Sequence, residues 1–347
     1  MPTDNNTNLG FTPCFWLILR YAHCLYGKVL SRSRALSYSK NTTGNLFTTE
    51  NAKISDDFWK RRTQLYFLYY KRAFFIKALK YRRFGNVRII ICWHMISDFG
   101  IANCYLLIGE ERALLIDCGL GIGDIKGAVE KITDKPITVV ATHGHVDHAG
   151  GDGQFEKIYV HILDTGKTYK FMTSYIVRKL FLIGSKGVVD KSIKVKDLVK
   201  YDKRPEVVGI DDGYVFDLGG RQVKVVHSVG HTYGSILLLD DKAKIAFVGD
   251  NMCPSLWLFL PNASYVDEWL ESAREILKIS DEYAIWWGHE GGFLSQGLIE
   301  NVIKIGEEAI KKYKKNRILF RVIFYPCNDR VNGSVVFRST RLIKKSK

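Results

Sequence analysis

Long apolar runs, closely spaced cysteines and acids near its two ends are what this 347-residue chain lacks. The longest N-terminal apolar stretch, Phe15-Trp16-Leu17-Ile18-Leu19, stops at Arg20, far short of the roughly 20 residues that span a bilayer. A transmembrane helix is therefore not expected. Seven cysteines, at 14, 24, 92, 104, 118, 253 and 327, form no close pair. That pattern argues against a disulfide framework and for reduced thiols in a cytoplasmic setting. No well-formed signal peptide is recognisable, although residues 1–55, poor in acids and with Ser and Arg between 31 and 40, faintly resemble a transit peptide. No internal repeat of solenoid or propeller period is present.

Charge is unevenly spread. Residues 1–86 hold 15 Lys and Arg against 4 acids, and residues 311–347 hold 12 against 1, while the stretch between holds 24 against 31. The formal charge of +15 thus hides an acidic middle. Basic flanks attract polyanions, so peripheral contact with an anionic membrane or another polyanion is a candidate role for them. Residues 60–84 interleave aromatic and basic side chains. This predicts an amphipathic helix, either lying in a membrane interface or packed on the rest of the protein.

What is present is concentrated in residues 142–151, Thr-His-Gly-His-Val-Asp-His-Ala-Gly-Gly. Four potential ligands, His143, His145, Asp147 and His148, fall within six positions. Neutral imidazole and carboxylate suit divalent zinc and iron. In an extended stretch His143, His145 and Asp147 would point one way and His148 the other, a parity that suits two adjacent ions. Further donors follow apolar β-forming runs. Residues 223–226 lead to His227 and His231, residues 245–248 to Gly249-Asp250, and residues 283–287 to Gly288-His289. A buried strand delivering a polar side chain at its tip has this appearance. Of these, His227 is expected to be structural.

These segments together resemble the metallo-β-lactamase superfamily, in the family's order. Leu114-Leu115-Ile116-Asp117-Cys118-Gly119 resembles the first motif, His143 to His148 the second, and Gly230-His231-Thr232, Gly249-Asp250 and Gly288-His289 the rest. The resemblance covers roughly residues 87–310. It implies an α/β fold, the αβ/βα sandwich, with metals at the edge between two sheets. It further implies that His143, His145 and His231 bind one ion, that Asp147, His148 and His289 bind a second, and that Asp250 bridges them. Asp117, Thr142 and Thr232 would steady the ligating rings. Val229 and Trp287 depart from the family's usual Pro, and Glu290 from its common Gly. No ligand is missing.

Two such ions, zinc before iron or manganese, would share a hydroxide acidified to near neutral pH, with Asp147 orienting it and carrying a proton. The expected activity is hydrolysis of a small-molecule ester or thioester, similar to hydroxyacylglutathione hydrolase (glyoxalase II). Asp250 argues against true β-lactamases, and His145 against the oxygen-reducing relatives, which carry Glu there. Asn251, Met252 and Cys253 stand where quorum-quenching lactonases carry a Tyr, which weakens that alternative. His231-Thr232-Tyr233-Gly234-Ser235 keeps a pattern from which nucleases usually depart, so nucleic acid is not the expected partner; a phosphodiesterase of the same fold, favoured only by the basic flanks, is the alternative.

The element pattern predicts strands near 88–92, 102–108, 112–116, 137–141, 214–217, 222–227, 235–240, 244–249 and 283–287. Helices are predicted near 123–132, 264–278 and 295–315. Near-helical apolar spacing from Tyr169 through Tyr175 to Leu180 predicts an amphipathic helix, as a lid or as core. The apolar run between Pro254 and Pro261 is a poor helix and would line a substrate pocket with Trp257 and Phe259; Tyr175 is a further pocket candidate. The organisation expected is a basic extension over 1–86, a catalytic domain over 87–315 and a basic tail over 316–347, whose run to Tyr325 reads as a lone strand.

Overall fold

The computed structural model describes residues 66–70, 73–84, 87–97, 101–185, 193–260, 262–289, 292–313, 322–325, 333–338 and 340–344. The strands are β1 (Tyr66–Tyr70), β2 (Ala73–Phe84), β3 (Val87–Ser97), β4 (Asn103–Ile108), β5 (Ala113–Ile116), β6 (Ile137–Val140), β7 (Lys157–His161), β8 (Glu206–Ile210), β9 (Val215–Asp217), β10 (Gln222–His227), β11 (Ile236–Asp240), β12 (Ile245–Phe247), β13 (Ser255–Leu258), β14 (Ala284–Trp286), β15 (Phe293–Leu294), β16 (Val322–Tyr325) and β17 (Ser334–Arg338). The helices are α1 (Ile125–Glu130), α2 (Val146–Ala149), α3 (Gly166–Met172), α4 (Tyr175–Gly184), α5 (Val266–Ile279) and α6 (Gln296–Tyr313).

Strands β1 to β8 form one sheet in sequence order, antiparallel as far as β5 and parallel from β5 to β8. A second sheet runs β15-β14-β12-β11-β10-β9. Alternation along the strands decides the layers. Tyr105 and Leu107 of β4 point inward, where they meet Val223, Val225, Leu238 and Phe247 of the second sheet. Cys104 and Leu106 point outward onto Ile125 and Val129 of α1. On the far side, Leu237, Ala246 and Ile285 carry Trp269 of α5 and Val302 of α6. Helix, sheet, sheet, helix is the αβ/βα sandwich.

Three predictions need correction. Residues 66–70 and 73–84 are strands rather than an amphipathic helix, and β2 pairs with β3 from Phe74 to Phe84. The β-branched run of β3 supplies a complete ladder partner, and such pairing overrides local spacing. The helix predicted through Tyr169 and Leu180 is two helices, because Thr173 and Ser174 interrupt it and the Ser174 side chain caps α4 at Val177 N. The run ending at Tyr325 is no lone strand: β16 pairs with β17, which in turn lies parallel to β13. The transit-like residues 1–55 lie outside the described residues.

Candidate metal centre

Strand β6 ends at Val140, and the chain then turns through Thr142, His143 and His145 into α2. The extended geometry expected for 143–148 is not observed: the chain bends over 142–144, and His145, extended itself, precedes the first turn of α2. That turn places Asp147 and His148 on α2, with the His148 ring 4.2 Å from that of His143. The remaining donors arrive from strand ends. Asp117 follows β5 in a left-handed backbone conformation, φ 60°. His231 lies in the turn between β10 and β11, Asp250 follows β12 after Gly249 at φ 51°, and His289 follows β14.

These residues converge. Three groups have one candidate ligand atom per residue within 4.8 Å of one another: His143, His145 and His231; His143, His148 and Asp250; and Asp147, His148 and His289. The Asp250 carboxylate reaches every side of the cluster, at 3.1 Å from His289 Nε2, 3.4 Å from His148 Nε2 and 3.8 Å from His231 Nε2. Asp147 Oδ2 stands 3.7 Å from His289 Nε2 and 3.9 Å from His148 Nε2.

Each imidazole turns one nitrogen inward and has the other held from outside, which fixes ring orientation. His143 Nδ1 lies 3.1 Å from Thr142 Oγ1, and His148 Nδ1 lies 2.8 Å from Asp117 Oδ2. His145 Nε2 meets Asn262 Oδ1 at 3.2 Å, and His231 Nδ1 meets the Trp257 carbonyl at 2.8 Å. His289 Nδ1 is held by the Ile101 carbonyl. Asp117 also accepts from Thr142 N at 2.7 Å, so one carboxylate locks the start of the loop and its last histidine. The Thr232 hydroxyl hydrogen-bonds to Asp164 and Ser235 rather than to a candidate ligand ring. It donates to Asp164 at 2.7 Å, and Asp164 accepts from Gly144 N at 2.8 Å, tying the two histidine-bearing loops together.

The donor set fits divalent cations. His143 Nε2 and Asp250 Oδ1 are buried without a hydrogen-bond partner, and such orphaned groups are costly unless something else satisfies them. His145 Nδ1 and His231 Nε2 face each other at 2.8 Å, two ring nitrogens aimed at one point. Burial, reinforced by neighbouring imidazoles, pushes His143 far below the usual histidine range and His231 down to about 3. Both are therefore neutral, the form that ligates metal. For His148, burial acts downward, but Asp250, Asp117 and Asp147 outweigh it and raise the ring well above its usual value. His289 is raised in the same sense, chiefly by Asp250 against burial. Asp250 and Asp147 thus favour positive charge at both rings, the charge that a divalent cation carries.

His227 stands outside the three donor groups. Its ring stacks on His161 at 4.0 Å and its Nε2 meets the Tyr233 carbonyl at 2.8 Å. Phe259 is buried with Leu260 and Val336, and the Trp257 ring leans on it at 5.2 Å. Tyr175 packs at the edge of a cluster that includes Val146, under the Lys200 ammonium. Asn251, Asn262 and Asp164 carry no motif signal in the sequence. Asn251 was legible only as the residue after Asp250, yet its side chain accepts from His231 N at 2.8 Å and donates to the Ser228 carbonyl at 2.9 Å.

Residues 97–289 match the metallo-beta-lactamase superfamily. Similar curated proteins include acyl-coenzyme A thioesterase MBLAC2 of Homo sapiens, 29% identical over 229 residues, which are 61% of this chain and 79% of the relative. A metallo-beta-lactamase fold-containing protein, ST1585 of Sulfurisphaera tokodaii, is 25% identical over 213 residues, 59% of this chain and 78% of its own. Among solved structures, a metallo-beta-lactamase family protein from Thermus thermophilus is 19% identical with a TM-score of 0.46, covering 61% of this chain and 76% of that one.

Proposed function

Since the chain belongs to the metallo-beta-lactamase superfamily, we propose that it is a binuclear metal-dependent hydrolase of acyl thioesters. The observation that carries this reading is the convergence of seven donors, His143, His145, Asp147, His148, His231, Asp250 and His289, in overlapping groups that share His143 and His148. His143, His145 and His231 would hold one ion, Asp147, His148 and His289 the other, with Asp250 between them. Zinc suits this mixture of imidazole and carboxylate, as do iron and manganese. When bound, such a pair supplies water acidified toward neutral pH and polarisation of the thioester carbonyl.

The chain's own residues do the rest. Asp147 is 13% exposed at its side chain, open enough to meet water and close enough to the cluster to orient it and take its proton. Carrying that proton to the departing thiolate needs no other base. Asp117, Thr142, Asn262 and the Trp257 carbonyl keep the rings from turning while charge develops. The thioester class rests on the thioesterases the chain resembles, and acyl-coenzyme A is the first substrate to test.

The test is a screen of metal-loaded protein against acyl-coenzyme A, glutathione thioesters, lactones and phosphodiesters. Acyl-coenzyme A is expected to turn over, and Asp147→Ala to lose at least about a hundredfold in rate. Turnover of phosphodiesters alone, or thioester turnover unchanged by Asp147→Ala, would overturn the reading.

A further inference from the structure

Beside the metal loop the protein exposes apolar side chains it has no internal reason to expose. Eight large apolar residues are exposed among those described, and five of them, Ile162, Leu163, Phe171, Ile176 and Ile183, fall within residues 162–183. Phe171 is 55% exposed and Ile176 63%. On α4 the buried stripe is Val177, Arg178 and Leu182, while Ile176, the half-exposed Leu180 and Ile183 form the opposite stripe at helical spacing. The inner stripe is firmly seated: Val177 and Leu182 pack with Val146 of α2, and Arg178 donates to the Leu120, Gly121 and Val199 carbonyls. The outward stripe therefore has a fixed direction.

The charges around this face are of one sign. Residues 165–185 contain no acid, and Lys167, Lys170 and Lys179 are exposed with no ion pair among the described residues. This stands out in a stretch, 87–310, that is acidic as a whole. A helical face with apolar residues at its centre and cations at its rim matches the boundary between lipid headgroups and acyl chains, and lysines there gain from anionic lipid.

We propose that the outward face of α3 and α4, with Phe171, Ile176, Leu180 and Ile183 at its centre and Lys167, Lys170 and Lys179 at its rim, docks on an anionic lipid bilayer. The lysines meet the headgroups and the apolar side chains enter the acyl boundary. Because the inner stripe of α4 packs on α2, docking sets the bilayer one helix away from the element that follows His145. Lipid binding does not depend on the thioesterase reading and is measured without turnover.

The experiment is co-sedimentation of the full chain with vesicles of phosphatidylcholine, with and without phosphatidylserine. Wild type is expected to partition onto the anionic vesicles only. Phe171→Asp/Ile176→Asp should lower that partition at least about tenfold, and so should Lys167→Glu/Lys170→Glu/Lys179→Glu, given roughly fivefold per basic residue near such a surface. Melting temperature and hydrolysis of a short-chain soluble thioester should not change in either variant. No partition by wild type overturns the proposal. Equal partition by wild type and both variants also overturns it, assigning lipid binding to the basic flanks. A wild-type dimer that the Asp variant breaks, with no vesicle binding, assigns the face to a second copy instead. Absence of thioester turnover with intact partition counts against the proposed activity alone.

Discussion

At the scale of single residues, the centre is a contest between burial and charge. Burial removes the proton from His143 and His231, whereas the carboxylates of Asp250, Asp117 and Asp147 retain one on His148. Metal uptake must displace that retained proton, so binding near neutral pH should release protons. Calorimetry in buffers of different ionisation enthalpy checks this, and heats independent of buffer would refute it. His143→Ala should leave the purified protein with less than half the wild-type metal content by elemental analysis, because His143 is shared between two donor groups. Asp152 offers a separate test. Burial pushes its carboxyl up to about 6, against 3.8 for an ordinary aspartate, with Arg204 opposing. Between those values the folded state holds a proton that the unfolded chain has lost. Stability from this group is therefore full below 3.8 and lost as pH rises through 6, a loss of roughly 2–3 kcal/mol. Asp152→Asn should remove that pH-dependent loss in denaturant titrations run from pH 4 to 7; identical profiles would show that the carboxyl is not held neutral.

At the scale of elements, turns decide which strand tips reach the centre. Gly249, between β12 and Asp250, has a left-handed φ of 51°, and a Cβ there would sit 2.5 Å from Thr142 Oγ1. Gly249→Ala should cost on the order of 1–3 kcal/mol from backbone strain and this clash, and it should also lower metal content by moving Asp250. A variant that keeps both full stability and full metal would show that the turn is not constrained. The third sheet matters in the same way. Strand β17 lies parallel to β13, Val336 packs on Phe259 and Leu260, and Arg341 donates to the Leu260 carbonyl at 3.2 Å. Strand β13 and the loop after it carry the Trp257 carbonyl and Asn262, which hold His231 and His145. Removing residues 333–347 should therefore weaken metal retention against a chelator, although no metal donor is deleted. Retention equal to the full chain would show that β13 and its loop stand alone. Most strands near the centre were legible because alternation or a continuous β-branched run precedes each donor. Strands β7, β8, β13, β15 and β17 were not. Their patterns are short, and β13 is stabilised by a parallel partner 79 positions away at Ser334, which no local period reports.

At the scale of the whole molecule, two sheets share one core and the candidate donors gather at its edge, so a metal held by them would bind only the folded state. Chelation should lower the melting temperature, and returning zinc should restore it, as linkage requires for a ligand of the native state. A melting curve indifferent to chelator would mean that the donors do not bind metal. Among the described residues no helix is long and apolar enough to cross a membrane, in keeping with the short apolar runs of the chain. The sequence by itself determined the chemistry on offer: His143, His145, Asp147, His148, His231, Asp250 and His289 are recognisable by type and spacing because donor identity is a local property. It also determined the layered sandwich, since alternating strands and amphipathic helices admit few arrangements. Only the tertiary structure decided which groups hold the rings, namely Asn262, the Trp257 and Ile101 carbonyls and Asp164, because hydrogen bonds between distant segments leave no periodic trace. It alone also decided that α3 and α4 turn an apolar, basic face outward, because one helical stripe can be buried or exposed until its neighbours are in place.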